Sequence, residues 1–135
     1  MSQPEGQKNA CLGGIMALRM KVVGAEGIVV SGRVRDVGEL GSTGLPIWAR
    51  ATSIVGAGAD AKQHAVQVPL VIDSTRVRPG DLVFSDPENG VVVIPLEKLD
   101  EVVDLLPQLV EADDRVKNDV ERGISVQEAF KKHRG

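Results

Sequence analysis

The feature that most restricts this chain is a short continuous apolar run, Gly27-Ile28-Val29-Val30, set between glycine turns. A run this brief and without alternation reads as a strand buried on both faces. A helical stretch precedes it. From Leu12 to Val23, Ile15, Leu18 and Val22 share one stripe, with Met16, Met20 and Val23 beside it. Gly13-Gly14 opens that helix, and Gly24 stands where a left-handed residue would end it. A helix feeding a buried strand through a tight glycine turn is an α/β unit. Aromatic residues are nearly absent (Trp48, Phe84, Phe130 and no Tyr), so Val, Leu, Ile and Ala must build the core.

More short strands are predicted downstream. Ser31-Gly32 reads as a turn into the charged stretch Arg33-Val34-Arg35-Asp36, and Pro46–Arg50 as a β-like segment. Residues 52–62 lack a period and read as a loop, and alternation returns over Ala65–Ile72. Asp81–Ser85 and Gly90–Pro95 follow Pro-Gly and Asn-Gly turn signals and are expected to form a hairpin. In the tail, Leu99, Val102, Val103, Leu106 and Leu109 have helical spacing, with Pro107 expected to kink or split the helix. Asp113–Arg122 is almost wholly polar and is expected to be solvated. Ser125 and Glu128 have capping-box spacing for a last short helix. Residues 1–8 read as an irregular leader. The expectation is one α/β domain over residues 1–135, a core of short Val-rich strands with flanking helices and a helical tail over 96–135.

With 135 residues, 42% hydrophobic and 26% charged, the composition is that of a globular protein. A formal net charge of -3 lacks the basic footprint of a nucleic-acid binder. No apolar run is long enough to span a bilayer, and residues 1–8 lack the apolar stretch of a signal peptide. The single cysteine, Cys11, excludes an internal disulfide and fits a reducing compartment, so a cytoplasmic location is expected. No nucleic-acid or membrane partner is expected.

Two features bear chemistry. Arg35-Asp36 lies just beyond the buried strand, where α/β folds gather ligands. A carboxylate can hold Mg²⁺ or Mn²⁺, and an adjacent guanidinium matches a substrate carboxylate. A surface ion pair or a turn-capping Asp is the competing reading. Gly13-Gly14 offers free backbone N–H groups at the positive end of a helix dipole, an anion site, or else an ordinary helix start. Together they would surround one small 2-oxo acid. His64 and His133 form no motif, Cys11 reads as a packed small side chain, and Asp81 and Asp86 read as turn residues.

Residues 9–16 (Asn-Ala-Cys-Leu-Gly-Gly-Ile-Met), residues 24–36 ending in Arg35-Asp36, and residues 77–95 resemble the RraA-like family. That family includes 4-hydroxy-4-methyl-2-oxoglutarate aldolases with oxaloacetate decarboxylase activity, and non-catalytic regulators of ribonuclease E. The resemblance implies a compact β/β/α swivelling-domain-like core, assembled as a homotrimer or hexamer with sites at subunit interfaces. It implies Asp36 as the ligand of Mg²⁺ or Mn²⁺ and Arg35 as a substrate contact. It also implies substrate binding largely through the backbone of Gly13, Gly14, Ile15 and Met16. The reaction implied is cleavage or decarboxylation of small 2-oxo acids through a pyruvate enolate. The chain departs from the aldolase pattern at Gly14, where that pattern has an Asp. It also starts almost at the glycine turn, and family members carry a longer N-terminal portion. Both departures leave open a non-catalytic, protein-binding regulator of RNA-processing enzymes.

Overall fold

A computed structural model describes residues 1–59 and 61–135, in two units, Met1–Val93 and Ile94–Gly135. In the first unit a helix, α1 (Gly14–Val22), leads into a strand, β1 (Ile28–Val34). Helix α2 (Val37–Ser42) then carries the chain to β2 (Ile47–Thr52), which pairs in parallel with β1. Parallel pairing requires such a crossover, and it leaves the β1–α2 junction at the carboxyl end of β1. Ile28 faces Ile47 and Val30 faces Ala49, with a bulge between Val30 and Arg33. Leu12, Ala17, Ile28, Val30, Val34 and Leu40 form the buried core. That small aliphatic set is what a chain almost without aromatics can bury.

Several expectations are corrected in this unit. The strand does not turn at Ser31-Gly32 but runs on to Val34. Its second edge is occupied: Ser31 N–H donates to the Met1 carbonyl, Gln3 N–H to the Ser31 carbonyl, and Cys11 N–H to the Arg33 carbonyl, each at 2.9 Å. Residues 1–8, irregular as expected, are thus tied to that edge through Met1 and Gln3. A Cβ on Gly32 would lie 2.6 Å from the Gln3 Oε1, so the glycine admits the Gln3 side chain instead of making a turn. The stripe of α1 read from the sequence faces outward, with Ile15 77%, Leu18 54% and Val22 69% exposed. The small residues Gly14 and Ala17 form the buried face, which lets the helix approach closely. Helix α1 ends as expected: Gly24 has φ +97, its N–H donates to Lys21, and Ala25 N–H reaches back to Met20.

Of the alternating stretch 65–72, only β3 (Leu70–Ile72) is a strand. It pairs antiparallel with β4 (Thr75–Val77) across a tight turn in which Asp73 adopts a left-handed conformation. The expected hairpin is present: β5 (Leu82–Asp86) pairs with β6 (Gly90–Ile94). Asp86 accepts the Glu88 N–H at 2.8 Å within its turn, and Gly90 supplies φ +109.

In the second unit, α3 (Leu99–Glu121) runs unbroken through Pro107, so the helix is not split there. One missing N–H is a local cost that a helix of 23 residues sustains. Its polar end is not wholly solvated either, because Val116 and Asp119 are buried. Helix α4 (Val126–His133) packs on α3, and Ser125 caps it as expected, accepting the Glu128 N–H at 3.3 Å. The chain is of the mixed α/β class, with short Val-rich strands, flanking helices and C-terminal helices. Among the described residues no helix is long and apolar enough to cross a membrane.

Candidate active site at the Gly13–Asp36 corner

The corner is built by the two edges of β1. Leu12 bridges Val34, and Arg35 N–H donates to the Leu12 carbonyl at 2.9 Å. The chain therefore leaves β1 through Arg35-Asp36 beside the point where Gly13 enters α1. Asp36 has φ +57 and ψ +46, a left-handed conformation that Asp tolerates better than most residues. It stands at the N-cap of α2, yet its side chain caps nothing there. Instead the carboxylate turns toward α1. Its Oδ2 accepts the Gly14 N–H at 3.4 Å and lies 3.4 Å from the Arg35 Nε. Backbone strain at a residue freed from its usual structural duty is a mark of functional positions.

A side chain at either position of the turn would press on a neighbouring side chain. A Cβ on Gly13 would lie 2.8 Å from the Asp36 Oδ2 and 3.0 Å from the Arg35 Nε. A Cβ on Gly14 would overlap the Cβ and Oε2 of Glu39, which stands in the first turn of α2. Two carboxylates, Asp36 and Glu39, thus converge on Gly14. Glu39 occupies the space where a larger residue at 14 would project its own side chain.

A cavity of about 210 Å³ opens beside this corner. Gly13, Ile15, Met16 and Arg35 line it, together with Cys11 and the Gly56–Gly58 segment. Gly14 and Asp36 are not in its wall and meet it through the Gly13 turn and Arg35. The Arg35 and Asp36 side chains are 45% and 35% exposed, open to a ligand from solvent. Of the N–H groups expected to serve an anion, that of Gly14 is taken by Asp36. Those of Ile15 and Met16 are among the first-turn donors that a helix leaves without internal partners.

Among the described residues no group of three or more His, Cys, Asp and Glu side chains forms a metal cage. Mg²⁺ can also be held by one or two carboxylates, with water and substrate completing its octahedron, and Asp36 and Glu39 are the residues at this corner that could hold one.

Other sequence candidates lie elsewhere. Cys11 donates weakly to the Arg33 carbonyl at 3.5 Å, and burial pushes its thiol above the usual range. His64 is exposed, and His133 lies 2.8 Å from Asp119 in the α3–α4 packing. Asp81 and Asp86 accept backbone N–H groups in turns, as expected. Sequence reasoning missed Glu39 and the Gly56–Gly58 wall. The signal for Glu39 was a carboxylate one helical turn after Asp36, opposite a glycine where the aldolase pattern has an Asp.

Residues 2–93 match the profile of a family described as RraA-like: Aldolase/RraA. Over 113 residues the chain is 33% identical to protein DlpA of Legionella pneumophila, covering 84% of this chain and 18% of that protein. Over 88 residues it is 33% identical to a 4-hydroxy-4-methyl-2-oxoglutarate aldolase of Thermus thermophilus, covering 65% of this chain and 52% of that one. The crystal structure of Streptomyces coelicolor RraAS2 is described as an unusual member of the RNase ES inhibitor RraA protein family. It superposes with a TM-score of 0.73 at 33% identity, covering 83% of this chain and 57% of that one. In each case the chain spans less than two thirds of its relative's length.

Proposed function

The chain belongs to the RraA-like family, and from that premise we propose a divalent-metal-dependent lyase acting on small 2-oxo acids. The reaction is cleavage or decarboxylation through a pyruvate enolate, as in 4-hydroxy-4-methyl-2-oxoglutarate aldolases and oxaloacetate decarboxylases. One observation carries it: the Asp36 carboxylate, held by a left-handed backbone, caps no helix and meets Gly14 and Arg35 beside a cavity. Asp36, with Glu39 next to it, would hold Mg²⁺ or Mn²⁺. When bound, that ion supplies Lewis-acid polarisation of the keto group. Arg35 extends its guanidinium into the cavity wall and stabilises negative charge developing on the keto oxygen. The turn from Gly13 to Met16 receives the substrate carboxylate on backbone N–H groups, Gly13 allowing the close approach. The side chains of Ile15 and Met16 line that end. Loss of CO₂ or of a carbonyl fragment leaves the enolate carbon to take a proton from water. The proposal includes a cytoplasmic homotrimer or hexamer.

Pyruvate release from oxaloacetate and from 4-hydroxy-4-methyl-2-oxoglutarate, with Mg²⁺ and with chelator, tests it. Turnover that disappears with chelator and in Asp36→Ala is expected. Turnover indifferent to both would sink the proposal. The likeness to the Streptomyces RNase inhibitor family, together with Gly14 where the aldolase pattern has an Asp, favours a second reading as a protein-binding regulator of RNA-processing enzymes. Ribonuclease inhibition without any pyruvate release would establish that alternative.

A further inference from the structure

Two glycines far apart in sequence meet the Arg35 side chain at two points along its length. A Cβ on Gly13 would stand 3.0 Å from the Arg35 Nε and 3.1 Å from its Cγ. A Cβ on Gly56 would stand 3.6 Å from Nη1 and 3.9 Å from Cζ, and among the described residues it would meet nothing else within 4 Å. Neither position needs glycine for its backbone. Gly13 is extended, with φ -135 and ψ 178, and Gly56 is not one of the glycines with positive φ. What the missing side chains admit is the arginine: Gly13 lets the stem and Nε lie against the main chain, and Gly56 does the same for the tip.

Both walls are tied to one stretch of chain. Gly13 follows directly on Leu12, whose carbonyl accepts the Arg35 N–H at 2.9 Å. The segment leading into Gly56 is held by residues just upstream of Leu12. Ala10 N–H donates to the Val55 carbonyl at 2.8 Å, and the Ser53 hydroxyl to the Lys8 carbonyl at 2.5 Å. The Ser53 Oγ in turn accepts the Val55 N–H at 3.1 Å. Main-chain walls, unlike side chains, cannot rotate away.

We propose that Gly56 is a positioning residue for Arg35, forming with Gly13 a backbone slot that holds the guanidinium at the cavity. The inference rests on the reading of Arg35 as the group that stabilises charge on the keto oxygen, and it deepens that reading. An unrestrained arginine spreads over many rotamers, and ordering it during the reaction costs entropy. Donors already in place when charge develops avoid that cost. The Arg35 side chain is 45% exposed, so the part that the slot leaves uncovered is open to a ligand. Gly56→Ala brings a methyl to ordinary contact with the tip, and Gly56→Val adds bulk beyond that contact and should displace it.

Steady-state kinetics on oxaloacetate with Mg²⁺ and NMR of the Arg35 side chain test this together. Gly56→Val should lower kcat by about 10- to 100-fold and leave KM within about threefold of the parent. Gly56→Ala should fall between the two. In Arg35→Ala the Gly56→Val substitution should change kcat by less than about twofold, because the group it acts through is gone. The Arg35 Nε–H signal, assigned by its loss in Arg35→Ala, should exchange with water faster in Gly56→Val than in the parent. Thermal unfolding checks that each variant folds, and Gly56→Ala carries both comparisons if Gly56→Val does not. Equal fractional losses in the parent and in Arg35→Ala overturn this inference and leave the lyase reading standing. An Nε–H exchange rate unchanged in the Gly56 variants does the same. No pyruvate release from the parent, with faster exchange in the variants, sinks the lyase reading and leaves the slot.

Discussion

Asp36 separates two roles that usually coincide at the start of a helix. An N-cap Asp ordinarily accepts a hydrogen bond from the helix it begins. Here the left-handed backbone sends the carboxylate to the start of the neighbouring helix α1 instead. Asn tolerates the same backbone and nearly the same shape, so Asp36→Asn isolates the charge. We expect metal-dependent pyruvate release to fall by at least about 100-fold, with unfolding free energy within about 1 kcal/mol of the parent. A collapse of stability with activity retained would assign Asp36 a structural role. Gly14 and Glu39 make a second test at this scale. A methyl on Gly14 overlaps the Glu39 Cβ, an atom that cannot rotate away. Gly14→Ala should therefore cost about 1–3 kcal/mol in denaturant unfolding. Glu39→Ala keeps the offending Cβ and should not relieve it, whereas Glu39→Gly should. For the same reason an Asp introduced at 14, as in the aldolase pattern, is expected to impair this protein unless Glu39 is reduced as well.

At the scale of elements, what the sequence exposed and what it hid follow from the range of the interactions involved. Gly24, Ser125 and the β5–β6 turn were legible because each rests on bonds within a few residues. Arg35-Asp36 and the Gly13 turn were legible as candidates for the same reason, a loop chemistry written in adjacent residues. The extension of β1 past Ser31-Gly32 was not, because it depends on pairing with residues 1–12. Nor was the outward face of α1, since apolar spacing marks a stripe without saying which face of the helix meets the sheet. Glu39 and Gly56–Gly58 were hidden because only the fold brings them to Gly14 and Arg35. The α3–α4 pair shows the same rule at its polar end. Asp119 looked solvated, yet its side chain is 9% exposed. It accepts the Lys132 Nζ and meets the His133 Nε2, both at 2.8 Å. The hydrogen bond from Lys132, and then that from His133, hold its carboxyl below the usual carboxylate range. A depressed carboxylate stabilises the folded form above its unfolded pKa, and that contribution is lost as pH falls through the folded value. Amide exchange in α4 should therefore be steady near neutrality and accelerate as pH falls below the ordinary carboxylate range, after correction for intrinsic rates. In Asp119→Asn the α4 amides should exchange faster at neutral pH and show no such acid step. An identical acid profile in that variant would place the pH response elsewhere.

Beside the candidate site the chain exposes several large apolar side chains, and exposed apolar patches often mark contact surfaces. Ile15, Leu18 and Val22 recur at helical spacing along the outer face of α1, and Ile54 is almost fully exposed. Ile15 and Met16 also line the cavity, so the exposed face of α1 and the cavity share a border. A surface of this kind is suited to burial against another copy, and a copy seated there would close the open side of the cavity and strengthen the electrostatic interactions inside it. Association and activity should then rise together. Sedimentation velocity is expected to show a concentration-dependent oligomer, and pyruvate release per chain should increase across the same concentrations. Leu18→Glu and Val22→Glu lie on that face but outside the cavity wall. Each should shift the protein toward monomer and lower its activity per chain, with the loss reduced at high protein concentration. Full activity from a protein that stays monomeric at every concentration would show instead that the cavity works without a neighbouring copy.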